Sequence, residues 1–161
     1  MSNFPSIHVR QAAVSDLAAL VPLFDGYRQF YGKPSDIGLA HSFFIGLAHS
    51  FLLERFQHHQ SVIFIAMQPD GTAVGFTQLY PMFSSVSAAR TFILNDLFVV
   101  QEARRKGVGI ELLKAATQFG RSVGAIRLSL STAIDNQTAQ ALYESLGWVR
   151  DTEFYAYSLS L

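Results

Sequence analysis

The residues with the clearest chemical potential lie between Asn95 and Gly109, in the run NDLFVVQEARRKGVG. A β-branched, aromatic stretch there breaks into a basic, glycine-punctuated turn and then a helix. The first turn of a helix leaves backbone N–H groups unpaired and carries a partial positive charge. A phosphate group satisfies both. Gly107 and Gly109 lack a Cβ, so the backbone can approach phosphate oxygens closely. Arg104, Arg105 and Lys106 add charge suited to a phosphorylated ligand. The same pattern also describes a solvated basic turn capping an ordinary helix. Neither the three-glycine dinucleotide pattern nor the G-x-x-x-x-G-K-S/T of a P-loop is present.

A second segment, NQTAQALYESLGW from Asn136 to Trp148, follows downstream. Asp135 and Asn136 supply N-cap chemistry, and Gly147 suits the position just past a helix end. Ala139, Leu142, Tyr143 and Leu146 recur at helical spacing. Before it, Ile126 to Thr132 alternates as a strand does. The C-terminal half therefore reads as strand, glycine turn, helix, strand, helix, strand.

Together the two segments resemble the GNAT superfamily of acetyl-CoA-dependent N-acetyltransferases. Arg104-x-x-Gly107-x-Gly109 is similar to its acetyl-CoA signature, Q/R-x-x-G-x-G/A. Asn136, Ala139, Leu142, Tyr143, Gly147 and Trp148 match its second motif, where the last position is usually Phe or Tyr. The likeness covers residues 91 to 151 well and the rest more loosely. Within the superfamily, LNDLFV followed by the arginine turn is most similar to the diamine/polyamine and small-protein-substrate branches.

The resemblance implies an α/β fold, with a mixed, mostly antiparallel central sheet flanked by helices in one domain spanning residues 1–161. It implies acetyl-CoA as cosubstrate. Leu97, Phe98 and Val99 would offer backbone groups to the pantetheine arm and acetyl carbonyl. Arg105, Lys106, Gly107, Val108, Gly109 and Ile110 would cradle the pyrophosphate. Arg104 holds the motif's first position, with a structural role for its side chain as the alternative. Asn136 reaches the cofactor in relatives, caps its helix, or does both. Tyr143 would stand beside the CoA sulfur as general acid; packing as a core aromatic is the alternative.

Acetylating an amine needs a proton acceptor, because a free alkylamine is protonated up to a pKa near 10.4. In polyamine-acetylating relatives an acid lies on the central strand. Alignment on Arg104 puts Asn95 at that position, where it can position a water but not act as a base. Asp96 is the neighbouring candidate, and on a regular strand it faces the opposite side. A bulge would change that. The acceptor side is expected to draw on Tyr27, Tyr31, Asp36, Glu54 and Tyr80, with surface placement as the alternative for the two acids. With no cysteine, an acetyl-cysteine intermediate is excluded and direct transfer is expected.

The elements that must position these groups can be read from the front. Ile7–Arg10 is a first strand, and Asp16 can cap a helix running through Leu17, Leu20, Leu23, Phe24 and Tyr27. Tyr31–Asp36 is a loop, and a second helix is expected from Ile37 to Gln57. Val62–Met67 and Val74–Tyr80 form a hairpin around Pro69-Asp70-Gly71. Thr91–Val100 is a long central strand, and Trp148–Asp151 and Phe154–Leu159 are closing strands. The second helix carries a duplication: IGLAHSF occupies 37–43 and again 45–51. The repeat keeps one face, so Leu39/Leu47 and Phe43/Phe51 could share an apolar stripe.

Composition bounds the rest. A chain of 161 residues, half apolar and only 15% charged, builds a real core rather than a disordered chain. Zero net charge argues against a nucleic-acid binder. No apolar run is long enough to span a membrane, and the start lacks a signal-peptide core. A cytoplasmic enzyme is the default. No metal site is expected: His41 and His49 lie too far apart along a helix, and His58-His59 has no evident companions. The resemblance also implies a homodimer through the C-terminal strands, whose FYAYSL edge would otherwise invite pairing. The acceptor is expected to be a small polyamine-like molecule, an amino acid derivative or a protein amine. Acetylation of an antibiotic or xenobiotic amine, and a non-catalytic acyl-CoA-binding module, are the alternatives.

Overall fold

A computed structural model describes residues 6–37 and 46–161 of the chain. It divides into two compact units, Met1–Leu130 and Ser131–Leu161.

The first unit runs β1 (His8–Gln11), α1 (Leu17–Phe30), α2 (Leu47–Gln57), β2 (Val62–Met67), β3 (Ala73–Ser84), β4 (Ala89–Val99), α3 (Val108–Ser122) and β5 (Arg127–Ser129). The strands form one sheet in the order β1-β2-β3-β4-β5. Each neighbouring pair is antiparallel except β4 and β5, which run parallel. The β2–β3 hairpin closes where expected. Gly71 takes φ +87, and the Asp70 side chain accepts the Thr72 N–H at 2.9 Å. β3 continues past Tyr80 through Pro81, which lacks an N–H for a ladder. Pairing with β2 ends at Leu79, so Pro81 is bonded to a strand on one side only and is tolerated.

The two faces of the sheet carry different helices. Ile63, Ile65 and Phe76 join Leu20, Phe24 and Leu52 of α1 and α2 in one core. Phe64 and Phe92 point the other way and meet Phe119 of α3, with ring centroids 5.7 and 5.4 Å apart. Fully buried side chains of this kind contribute about 1.5–3 kcal/mol each. Two glycines set the spacing. A Cβ on Gly26 of α1 would stand 2.9 Å from the Phe98 ring. A Cβ on Gly75 of β3 would stand 2.8 Å from the Phe98 carbonyl oxygen and 3.3 Å from Val108 and Leu112. The atom opposing Gly75 is backbone and cannot swing aside. Gly75→Ala is therefore expected to lower stability by about 2 kcal/mol, read as a fall in the urea midpoint at constant slope.

Several elements differ from the sequence expectation. α2 begins at Leu47, with Gly46 in extended backbone at its N-cap, and Ile37 is not helical. Most of the first repeat copy, Leu39 and Phe43 included, lies outside the described residues. Leu47 is exposed, and the buried positions of α2 are Ala48 and Leu52, four apart. Asp16 stands at the N-cap of α1 but makes no cap bond to it. Its carboxylate instead takes both arms of Arg10 at 2.7 Å and the Ala13 N–H at 2.8 Å. β5 is three residues rather than seven, because only Arg127–Ser129 find partners on β4.

The second unit contains α4 (Gln137–Ser145). The Asn136 side chain caps it by accepting the Ala139 N–H at 3.2 Å, and Gly147 ends it at φ +86. Trp148–Asp151 and Phe154–Leu159 form no strand, which corrects the sequence expectation. Phe154, Tyr155, Tyr157 and Leu159 are exposed. Strand propensity reflects packing on a pleated, half-buried surface, and these residues bury nothing to supply it.

Candidate active site

The site is organised by one irregularity in β4. Its register with β3 shifts, so that Gln78 faces Asp96 while Leu79 faces Leu94. Asn95 is the extra, bulged residue. The bulge reverses the side-chain alternation. Asp96 turns to the face that holds Gln78 and α1, instead of the α3 face, and is 1% exposed. Leu94 and Phe92 keep the α3 face, and Phe98 reaches α1.

The buried carboxylate is held on both oxygens. Asn95 Nδ2 donates to Asp96 Oδ1 at 2.8 Å, and Gln78 Nε2 donates to Oδ2. The Tyr27 hydroxyl donates to the Asn95 carbonyl at 3.1 Å and lies beside the carboxylate. Tyr31 stacks edge-on against Tyr27 at 5.1 Å. Burial pushes the Asp96 carboxyl above the ordinary range, and the Asn95 and Gln78 donors, with the Tyr27 hydroxyl nearby, pull it part of the way back. Burial also raises the phenols. Tyr80 is pushed up to about 12, mainly by desolvation and then by the Asp96 charge. Tyr27 is raised further for the same reasons. Both phenols are thus neutral near pH 7. No ion pair among the described residues includes Asp96.

Tyr27, Tyr80, Asn95 and Asp96 therefore come together, with Tyr31 at the margin. The other acceptor-side candidates are placed differently. Glu54 is largely exposed and pairs with Arg55 at 2.8 Å. Asp36 is tied down by its backbone: its N–H goes to the Asp25 carboxylate at 2.8 Å, and its carbonyl accepts the Ala48 N–H at 3.3 Å. Gln78, Ser61 and Asp25 were not singled out from sequence. The available signal was polarity at positions where apolar residues belong: Gln78 inside a strand and Asp25 on the buried stripe of α1.

The cofactor-side candidates lie at the far end of β4. The ladder to β5 covers only Thr91–Ile93, so Leu97, Phe98 and Val99 lie on an edge that no other strand of the first unit pairs. The Val99 carbonyl accepts Arg104 Nε at 2.9 Å, so this arginine braces the turn against β4. Gly107 is the N-cap of α3 at φ +82, with no side-chain cap bond. A Cβ there would meet nothing within 4 Å. Arg105 also has positive φ, and both Arg105 and Lys106 are exposed. Val108 is buried, with Gly109 and Ile110 in the first turn. An uncapped helix start, open space and two exposed cations fit a pyrophosphate.

In the second unit, Tyr143 is half-buried on α4, its ring 6.1 Å from Trp148. Asn136 takes the capping role there. Among the described residues, no three His, Asp or Glu side chains converge as a metal site, and no helix is long and apolar enough to cross a membrane.

Comparison with known proteins gives a consistent result. Residues 25–148 match the model of the acetyltransferase (GNAT) family. An uncharacterised N-acetyltransferase of Bacillus subtilis strain 168 is 47% identical over 155 residues, covering 96% of this chain and 98% of that protein. The crystal structure of a probable acetyltransferase superposes with a TM-score of 0.85 at 41% identity, covering 96% of this chain and 97% of the other. An aminoglycoside N-acetyltransferase in complex with CoA shares the fold, with a TM-score of 0.76 at 22% identity, over 100% of this chain and 99% of its own.

Proposed function

The chain belongs to the GNAT acetyltransferase family, and on that premise we propose that it transfers the acetyl group of acetyl-CoA directly to a primary amine. The observation that carries this is the Asp96 carboxylate, buried beside two neutral phenols and paired with no cation among the described residues. A buried charge without a partner is costly. A substrate ammonium supplies the missing cation, and the Tyr27 and Tyr80 rings favour it further.

The chemistry follows from that pairing. The bound ammonium gives one proton to Asp96, which leaves a neutral nitrogen able to attack the acetyl carbonyl carbon. The new C–N bond forms, the C–S bond breaks, and the nitrogen sheds its second proton to solvent. The departing thiolate takes a proton from an acid, and Tyr143 is the family-derived candidate for that role. Acetyl-CoA supplies the activated acyl group. Arg105, Lys106 and the first turn of α3, from Gly107 to Ile110, would hold its pyrophosphate. The unpaired edge at Leu97–Val99 would hydrogen-bond the pantetheine arm and the acetyl oxygen. Asn95, unable to take a proton, holds Asp96 instead.

The favoured acceptor is a small molecule carrying a primary amine, with a protein amine as the other member of the class. The test is CoA release, read with a thiol reagent, across monoamines, polyamines, amino acid amides, lysine peptides and aminoglycosides. The chain has no cysteine and so gives no thiol background. Turnover on one amine class identifies the acceptor, and Tyr143→Phe should then lower kcat about a hundredfold. Acetyl-CoA binding without turnover on any amine would favour a binding module.

A further inference from the structure

Gln78 is fully buried in β3, an unusual place for an amide. Its two ends are used differently. The half-buried Ser61 hydroxyl, just ahead of β2, donates to Gln78 Oε1 at 2.8 Å. That leaves the amide nitrogen pointing at Asp96 Oδ2, to which it donates. A serine hydroxyl can donate or accept, but a carboxylate acceptor at the other end fixes the direction of the whole chain. Ser61 donates to Gln78, and Gln78 donates to Asp96. Neither residue took part in the chemistry described above.

We propose that Gln78, anchored at its amide oxygen by Ser61, is a positioning residue for acetyl transfer: it holds Asp96 as an ionised carboxylate with one oxygen fixed. The proposal rests on Asp96 being the proton acceptor. A carboxylate offers about four lone-pair positions. Asn95 and Gln78 occupy one on each oxygen and Tyr27 lies beside them, so the count leaves a lone-pair position for an ammonium donor to take. Reversing the Gln78 amide would set its oxygen against the carboxylate, which opposes that reversal, and the Ser61 hydroxyl satisfies the amide oxygen turned away from Asp96. The groups facing Asp96 from each packed element are few. They are Tyr27 on α1, Gln78 and Tyr80 on β3 and Asn95 on β4, while Arg55 on α2 acts on Tyr80. Of these, Gln78 is held at its far end by Ser61, a residue outside the site.

The test is the pH profile of kcat/KM for the best amine found above, in wild type, Gln78→Leu and Ser61→Ala. Asp96→Asn serves as reference, and acetyl-CoA affinity is measured by calorimetry. Losing a donor to the carboxylate makes its protonation easier, so the acidic limb should move to higher pH. We expect a shift of about one unit for Gln78→Leu and a smaller shift in the same direction for Ser61→Ala. Acetyl-CoA affinity should stay within about twofold. A purely structural Gln78 would lower the melting temperature and kcat without moving the limb, and limbs coinciding with wild type in both variants overturn the proposal. Should Gln78→Leu not fold, Ser61→Ala, which removes one half-buried hydroxyl, decides alone. The two levels of failure separate cleanly. If Asp96→Asn still transfers acetyl at the wild-type rate, Asp96 is not the proton acceptor and Gln78 falls with it. If Asp96→Asn is inactive while the limb stays fixed, only the role of Gln78 is lost.

Discussion

Asp96→Asn is expected to lower kcat/KM by about 10²–10⁴-fold while leaving acetyl-CoA affinity unchanged. Asparagine keeps the size of the side chain and an oxygen for Gln78, but it cannot take a proton from an ammonium. It also removes the charge that attracts the acceptor, so KM should rise as kcat falls. In wild type the acidic limb should lie above the ordinary aspartate pKa of about 3.9, because burial raises the Asp96 carboxyl. The sign follows directly. The base works only when deprotonated, so activity is present above its pKa and is lost as pH falls through it. Steady-state rates from pH 4 to 9, with calorimetry of acetyl-CoA binding, check both parts. A variant that keeps wild-type kcat/KM would remove Asp96 from the mechanism.

Gly107→Val should raise the acetyl-CoA dissociation constant at least tenfold with little effect on the amine site. Gly107 sits at φ +82, where an L-residue costs about 1–2 kcal/mol, and more for a β-branched one. Its Cβ would meet no protein atom within 4 Å, so the added bulk enters the open space above the start of α3. That space is where a pyrophosphate would approach the first-turn N–H groups. A loss of about 1.4 kcal/mol is a factor of ten in affinity. Calorimetric titration with acetyl-CoA measures it, and an unchanged affinity would move the phosphate site elsewhere. Gly107→Ala should show the same effect at lower magnitude.

Much of the frame was legible because local chemistry and tertiary context agree. Asp70-Gly71 closed its hairpin as its turn chemistry requires. The Asn136 cap and Gly147 bounded α4. The Gly107 turn opened α3 as its glycine and basic residues suggested. What could not be read depended on partners distant in sequence. The β4 bulge arises from pairing with β3, and nothing in LNDLFV alone says that Asn95 is the extra residue. The sequence offers both neighbours as candidates; the pairing makes Asp96 the buried carboxylate and Asn95 its hydrogen-bond donor. Gln78 reads as one polar residue in an apolar strand until β2 brings Ser61 to it. The C-terminal run FYAYSL shows the opposite failure. Its alternation and aromatic content suit a strand, but its side chains are exposed and lack the half-buried pleated surface that strand propensity reflects. The start of α2 differs from the sequence expectation for a local reason: the tandem repeat preserves helical spacing across Gly46, but Gly46 takes extended backbone and α2 starts at Leu47.

The most direct measurement is the mass of the amine after incubation with trideuterated acetyl-CoA, for wild type and Asp96→Asn side by side. Direct transfer predicts an amine heavier by one labelled acetyl group, formed in equal amount to the CoA released, and nearly absent with Asp96→Asn. CoA release that leaves every amine unlabelled, or equal labelling by both proteins, would contradict it.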